Sequence, residues 1–156
     1  MSRSLDDLQT WFRHKAEAFL EQAMADGIPL RVTRTLTTEA TQAALYAIGR
    51  TDLTSDQKVN LLAEGLFPSD VTHTRTNAPH ASDTPHGLGL AFDVVPMKDG
   101  QPWWDAPEVV WQRLYKIAER CGLDALGDPW GEFVSSDKGH FQCPGWRIYR
   151  AIPEVA

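Results

Sequence analysis

The sequence TPHGLGLAFD, at residues 84–93, holds the features that decide the fold. Residues 90–95 are apolar apart from Asp93, which predicts a strand that carries a single carboxylate. Gly87 and Gly89 let the backbone turn tightly just ahead of that strand. An aspartate that faces inward from a strand requires a partner, so we expect polar groups from another part of the chain to meet it.

A second short segment, DKGHF, follows at residues 137–141 and supplies such groups. If it is a strand, His140 and Gln142 point to one face and Phe141 points to the other, because side chains alternate along a strand. Asp137 precedes His140 by three residues. This spacing places a second carboxylate close to the histidine without requiring both side chains to bind the same ion.

Together the two segments offer a set of groups that suits catalytic zinc. Two histidines and one aspartate, His86, Asp93 and His140, would leave a fourth position open for water, whereas a closed structural site normally uses four protein ligands. Water bound to zinc is acidic enough to become a nucleophile near neutral pH. Asp137 could then act as a general base beside the metal.

Each of these residues also has a structural interpretation when it is taken alone. His86 could be a loop residue after Pro85, Asp93 a hydrogen-bond acceptor at a strand end, and Asp137 a cap or turn residue. Their joint occurrence favours the metal site. Cys143, three residues after His140, is a weaker candidate for ligation, and core packing is the expected role of Cys121.

The paired segments resemble the signature of the D-alanyl-D-alanine metallopeptidase superfamily, which has the form S/T-x-H-x-x-G-x-A-x-D followed by D/E-x-x-H. The matching residues here are Thr84, His86, Gly89, Ala91, Asp93, Asp137 and His140. The resemblance extends upstream through residues 33–35, Gln42 and residues 49–51, and covers roughly residues 28–145. The superfamily includes VanX-type dipeptidases and phage L-alanyl-D-glutamate endolysins.

The resemblance implies that His86, Asp93 and His140 bind Zn²⁺ and that Asp137 activates water. Many dipeptidases and carboxypeptidases of the superfamily have glutamate where this chain has Asp137. Aspartate at this position is found among the L-alanyl-D-glutamate endolysins, and it therefore favours cleavage of that bond in peptidoglycan stem peptides.

Four further residues are candidates for contact with the substrate. The resemblance implies a substrate role for Arg34, whose guanidinium could bind a peptide carboxylate or a polarised carbonyl; a surface arginine on a strand is the alternative. Gln42 and Thr84 belong to the matching positions, although packing is an equal alternative for Gln42. Trp130 could form a wall of the cleft, with core packing as its alternative.

Three functions remain open from the sequence. The leading hypothesis is an L-alanyl-D-glutamate endopeptidase of a phage or prophage lysin. A D-alanyl-D-alanine dipeptidase or carboxypeptidase would use the same metal on a different bond. A zinc-stabilised binding module without turnover is the third.

The spacing of apolar residues predicts a mixed α+β fold. We expect helices over residues 5–24, after Thr37 or Thr38, from a capping box at Thr54, and from residues 105–108 onward. A small, mainly antiparallel sheet would lie among them, and the resemblance implies a Hedgehog/D,D-peptidase-like fold with the zinc site in a cleft on that sheet. Because 156 residues suit one domain and no linker is evident, we expect a single catalytic domain over residues 1–156 without a separate wall-binding domain.

Charge and hydropathy limit the partners and the location. The net charge of −6 gives no overall basic surface for nucleic acid or for stable membrane association, but it does not exclude local basic patches. The first residues lack the apolar core of a secretory signal, so we expect synthesis in the bacterial (host) cytoplasm and action on the cell wall or periplasm. The resemblance implies a monomer that reaches the wall with help from a holin-type membrane protein.

Overall fold

The computed structural model describes residues 1–65, 74–128 and 137–151. It contains an open antiparallel sheet with helices around it, which confirms the predicted α+β class. The helices are α1 (Thr10–Ala25), α2 (Glu39–Ala47), α3 (Ser55–Ala63) and α4 (Glu108–Arg120). The strands are β1 (Leu30–Arg34), β2 (Ala91–Lys98), β3 (Gln101–Pro102), β4 (Asp124–Ala125) and β5 (His140–Gln142). The sheet order is β1-β2-β5-β4, and β3 pairs with β2 alone.

The helix predicted from residue 5 is interrupted near its start. Ser4 caps a short 3-10 helix at Leu5–Asp7, and α1 begins only at Thr10. Leu8, between the two, has an extended backbone with ψ of 153°. Its side chain is nevertheless buried, because the extended residue turns it into the core. The helix α1 ends at Ala25, close to the predicted end at residue 24, and Gly27 follows with a φ of +78°.

The capping signals of the next two helices are confirmed. The hydroxyl of Thr38 accepts a hydrogen bond from the backbone N–H of Thr41 at the start of α2. Thr54 and Gln57 form a reciprocal capping box at the start of α3. The fourth helix begins at Glu108, the last residue of the predicted start region 105–108, directly after Pro107.

A hairpin between β2 and β3 was not predicted. Asp99 and Gly100 form its turn with φ of 51° and 75°, the left-handed conformation that Asp-Gly pairs favour in hairpins. The strand β3 has two residues, which is too short to show an alternating pattern. The Asp-Gly pair was therefore the only sequence signal for it.

The sheet separates the hydrophobic core from its opposite face. Phe92 and Val94 on β2, and Phe141 on β5, point into the core, where they meet α1 and α4. Their neighbours Asp93 and His140 point to the other face. The main core also contains Phe12, Phe19, Leu114 and Ile117, all with no exposed surface. The two-residue period of the strands thus places the polar residues on the face away from α1 and α4.

A smaller apolar cluster joins α2 to α3 through Ala44, Ile48 and Leu61. This pair of helices follows β1 in the chain and packs beside the polar face of the sheet through contacts of α2 with residues 81–83. In the three described stretches of chain, no helix has the length and apolar character needed to cross a membrane.

Candidate metal centre and cleft

The side chains of His86, Asp93 and His140 converge on the polar face of the sheet. Asp93 on β2 is directly opposite His140 on β5, and His86 comes from the turn that precedes β2. One Asp93 oxygen, Oδ1, lies 3.1 Å from Nε2 of His86 and 3.0 Å from Nδ1 of His140. The two histidine nitrogens are 3.2 Å apart. Three potential ligand atoms therefore form a nearly equilateral triangle.

The outer nitrogen of each histidine has its own hydrogen-bond partner. Nδ1 of His86 donates to the backbone carbonyl of Thr35 at 2.7 Å, and a carbonyl can only accept, so Nε2 carries the lone pair when the ring is neutral. Nε2 of His140 lies 3.0 Å from Oε1 of Gln142, which leaves Nδ1 of the neutral ring with its lone pair facing inward. Such partners fix the orientation of metal-binding histidines.

The triangle fits a zinc ion. With Zn–N and Zn–O bonds of about 2.0–2.1 Å, ligand atoms at the corners of a tetrahedron lie about 3.3 Å apart. The observed separations of 3.0–3.2 Å are close to this value. When both rings are neutral, the two nitrogen lone pairs and the carboxylate oxygen repel one another at this range, and a cation at their centre would satisfy all three. In the part of the chain that the structure describes, this is the only such group of metal-binding side chains.

The electrostatics of the three side chains are strongly coupled. Burial lowers the pKa of His86 and therefore favours its neutral, ligand-competent form. Burial would also raise the pKa of the Asp93 carboxyl, but the charges and hydrogen bonds of the two histidines outweigh it and hold this pKa well below its usual range. Burial would lower the pKa of His140, but the hydrogen bond to Asp93 and the negative charge of Asp93 outweigh burial and raise this pKa. A metal would have to displace that proton, so metal binding is expected to weaken in acid.

The turn before β2 positions His86. The hydroxyl of Thr84 donates to the carbonyl of Ala81 at 2.9 Å and accepts from the N–H of Gly87 at 2.9 Å. Gly89 has a φ of +67°, which confirms the expected tight turn. A Cβ on Gly87 would lie 1.9 Å from the Ala81 carbonyl oxygen, so the turn has no room for a side chain there.

Gly87→Ala is expected to destabilise the fold by about 1–3 kcal/mol through overpacking, and to weaken zinc binding because the shift displaces His86. Chemical denaturation and a competitive zinc titration would measure the two effects. Gly100→Ala is the matched control: its φ is +75°, but nothing lies within 4 Å of the added carbon. The control should lose stability of about 1 kcal/mol with unchanged zinc affinity. Equal zinc affinity in both variants would contradict the positioning role of this turn.

Asp137 and His140 are the ends of one tight turn. The backbone N–H of His140 donates to the carbonyl of Asp137 at 3.3 Å, which closes a four-residue turn directly before β5. Gly139 lies against β2, and a Cβ there would lie 2.5 Å from the carbonyl oxygen of Val94. Lost solvation and the negative charge of Asp93 raise the pKa of Asp137. The three-residue spacing seen in the sequence thus places this carboxyl beside the metal centre.

Arg34 reaches the same centre because β1 contains an irregularity. Val32 is opposite Val94, and the next paired residue of β1, Arg34, is opposite Asp93. Thr33 is therefore an extra residue of β1 between Val32 and Arg34. The bulge turns Arg34 away from the core side. Its Nε and Nη2 atoms donate to the hydroxyl of Thr37 at 3.0 and 2.7 Å.

A cleft of about 770 Å³ surrounds the metal centre. All the predicted site residues within the described ranges line it: Arg34, Gln42, Thr84, His86, Asp93, Asp137 and His140. The remaining one, Trp130, lies outside the described residues. Gln42 is 1% exposed, and its amide nitrogen donates to the carbonyl of Ala78 at 2.7 Å. The amide donors of Gln42 and the hydroxyl of Thr84 are therefore engaged by neighbouring chain segments.

Sequence reasoning missed several residues of the cleft. Gln142 contacts a ligand histidine, and its position two residues after His140 was a usable signal for this role. Thr35 acts through a contact that is distant in sequence. The contact of Thr37 depends on the bulge in β1. Arg75 and Arg147 also line the cleft, and neither lies in a recognisable pattern. Cys143 is buried in the core near the start of the last 3-10 helix, Trp146–Ala151.

No protein-family model matches the chain, and no curated protein matches it by sequence. Several solved structures are similar to it, and two of them are described below. The L-Ala D-Glu endopeptidase ChiX of Serratia marcescens has 20% sequence identity and a TM-score of 0.52, and the match covers 96% of this chain and 92% of ChiX. The chain has the fold of this peptidase.

The second similar structure is the vancomycin resistance D,D-pentapeptidase VanY, a glutamate-to-alanine mutant from a VanB-type resistance cassette in complex with Zn(II). It has 17% identity and a TM-score of 0.55, and the match covers 93% of this chain and 79% of VanY. The D,D-peptidase-like fold expected from the paired segments is therefore confirmed.

Proposed function

We propose that the protein is a zinc-dependent peptidase that hydrolyses the L-alanyl-D-glutamate bond of peptidoglycan stem peptides. The observation that carries the proposal is the triangle of His86, Asp93 and His140 with Asp137 on the adjoining turn, all within one open cleft. The shared fold with an L-Ala D-Glu endopeptidase supports this class of substrate.

In this proposal, His86, Asp93 and His140 hold the zinc ion. Zinc bound there supplies Lewis acidity, which acidifies water and polarises a carbonyl group. Asp137 accepts a proton from the attacking water and passes it to the departing amine of D-glutamate. The raised pKa of Asp137 suits this exchange, because the group must both take up and release a proton.

Arg34 is proposed to hold the substrate in register. Two of its N–H groups are engaged by Thr37, which fixes the guanidinium plane beside Asp93 and leaves other donors for a carboxylate or carbonyl of the peptide. Burial lowers the pKa of Arg34, but its ordinary value is so high that the group stays charged. Gln42 and Thr84 line the same cleft and would support its wall.

We further propose a biological role as a phage or prophage endolysin. The aspartate at position 137 favours this over the dipeptidases of the superfamily. A lysin of this kind would be made in the host cytoplasm and would depend on a holin-type membrane protein to reach the wall. Expression with and without such a protein, followed by culture turbidity, would test the dependence.

Digestion of purified sacculi by the zinc-loaded protein tests the proposed activity. Mass spectrometry should find new amino termini on D-glutamate. A second candidate, D,D-cleavage, is favoured by the similarity to a D,D-pentapeptidase and would release terminal D-alanine instead. Sedimentation of the protein with sacculi that remain intact would point to a binding module and would refute both peptidase activities.

A further inference from the structure

The cleft is more basic than the rest of the molecule. Three of the described residues that line it are arginines, Arg34, Arg75 and Arg147, whereas the acidic ones are Asp93 and Asp137 at the metal centre. The chain as a whole has a net charge of −6. Positive charge that is concentrated inside the cleft of an acidic protein attracts anionic ligands to that cleft.

Among the residues that the structure describes, two of these arginines have no carboxylate partner. Arg75 and Arg147 are both exposed, and neither forms an ion pair with any residue in 1–65, 74–128 or 137–151. Arg34 differs, because it is held by Thr37 and lies beside Asp93. The guanidinium groups of Arg75 and Arg147 are therefore available to a ligand in the cleft.

Both arginines sit on segments that are fixed to the fold. The stretch that carries Arg75 is tied to α2, since the amide of Gln42 donates to the Ala78 carbonyl at 2.7 Å and to the Thr76 hydroxyl at 3.4 Å. The guanidinium of Arg147 lies over the ring of Trp146, 4.7 Å from its centroid. Trp146 is itself buried. The segments that carry both arginines are thus held in place, and the stacked side chain of Arg147 loses less freedom when it binds a ligand.

The two arginines approach the cleft from different directions. Arg75 precedes the turn that holds His86 and adjoins α2, the helix that follows β1. Arg147 follows β5, on the other side of β2 in the sheet. A ligand that satisfies both must carry at least two anionic groups separated along its length. Because guanidinium binds carboxylate through a pair of parallel hydrogen bonds, an acidic peptide has the matching chemistry.

We propose that Arg75 and Arg147 bind two carboxylates of the stem peptide, one on D-glutamate and one on a residue that follows it, and so select peptides with free carboxylates over amidated ones. This inference rests on the proposed function. It assigns a specificity role to two residues that lie outside the metal centre and outside the paired sequence segments.

Synthetic stem peptides test the proposal: one with free carboxylates on D-glutamate and on the following residues, and one with carboxamides at the same places. Arg75→Gln and Arg147→Gln are each expected to raise KM for the acidic peptide about five- to tenfold, with kcat little changed. The KM of these variants for the amidated peptide should equal that of the wild-type protein. Arg31→Gln, an exposed arginine of β1 outside the cleft, is the matched control and should change neither value.

A binding measurement separates this inference from the proposed function. The acidic peptide is titrated calorimetrically into zinc-loaded Asp137→Ala protein with and without the arginine substitutions, and Kd should rise by the same factors. Hydrolysis of acidic and amidated peptides with equal KM would overturn the arginine assignment alone. Selective binding of the acidic peptide without hydrolysis by the wild-type protein would overturn the proposed activity and leave the assignment standing. Equal binding of both peptides overturns the assignment.

Discussion

Replacement of Asp137 by alanine is expected to lower kcat on stem peptides by about 10²–10⁴-fold while zinc binding is retained. The carboxyl lies on the turn that ends at His140, so its loss removes the proton acceptor without removing a ligand atom. The fold should remain intact because Asp137 is exposed at the open side of the cleft. Metal analysis and steady-state kinetics on a synthetic stem peptide would measure the two quantities.

A matched control is Asp52→Ala, which removes an exposed carboxylate away from the cleft. It should leave kcat and zinc content unchanged. Asp137→Asn keeps the shape of the side chain but cannot accept the proton, so its kcat should fall as far as that of the alanine variant. Full activity in either Asp137 variant would refute the assignment of the general base.

Removal of a ligand is expected to have the largest effect on the metal. His140→Ala should abolish stoichiometric zinc binding and reduce hydrolysis below detection, since Asp93 and His86 alone leave an incomplete site. Gln142→Leu should keep the zinc but bind it about 10–100-fold more weakly, because Nε2–H of His140 then lacks the acceptor 3.0 Å away. Competition with a chromogenic chelator would measure both affinities.

His14→Ala supplies the comparison for these variants. The imidazole of His14 is 67% exposed on α1 and lies 3.5 Å from the carboxylate of Glu17. Its removal should change zinc affinity by less than the error of the titration. If His140→Ala bound zinc as tightly as His14→Ala, the metal centre would have to be sought elsewhere in the chain.

Local signals predicted a large part of the fold and of the candidate site. The caps at Thr38 and Thr54 depend on residues three positions apart, and the structure confirms both. The alternation of His140, Phe141 and Gln142 placed two polar side chains on one face, as observed. Such features involve neighbours in sequence and can be recognised without knowing the fold.

Other features depend on contacts that no local pattern records. The bulge in β1 moves Arg34 to the face of Asp93, and only the pairing with β2 reveals it. The carbonyl of Thr35 orients His86 across 51 positions of sequence. The extended backbone at Leu8, which delays α1, follows from burial of a side chain in a core that forms from distant segments.

The sheet that carries the metal centre is also one wall of the hydrophobic core. Asp93 is adjacent to the buried Phe92 on the same strand, and His140 is adjacent to the buried Phe141. An ion bound by both Asp93 and His140 therefore also links β2 to β5. When the free zinc concentration is 100 times the Kd, binding to the native state adds about 2.7 kcal/mol to the free energy of unfolding. Zinc supply would then govern the lifetime of the chain among cellular proteases as well as its catalytic rate.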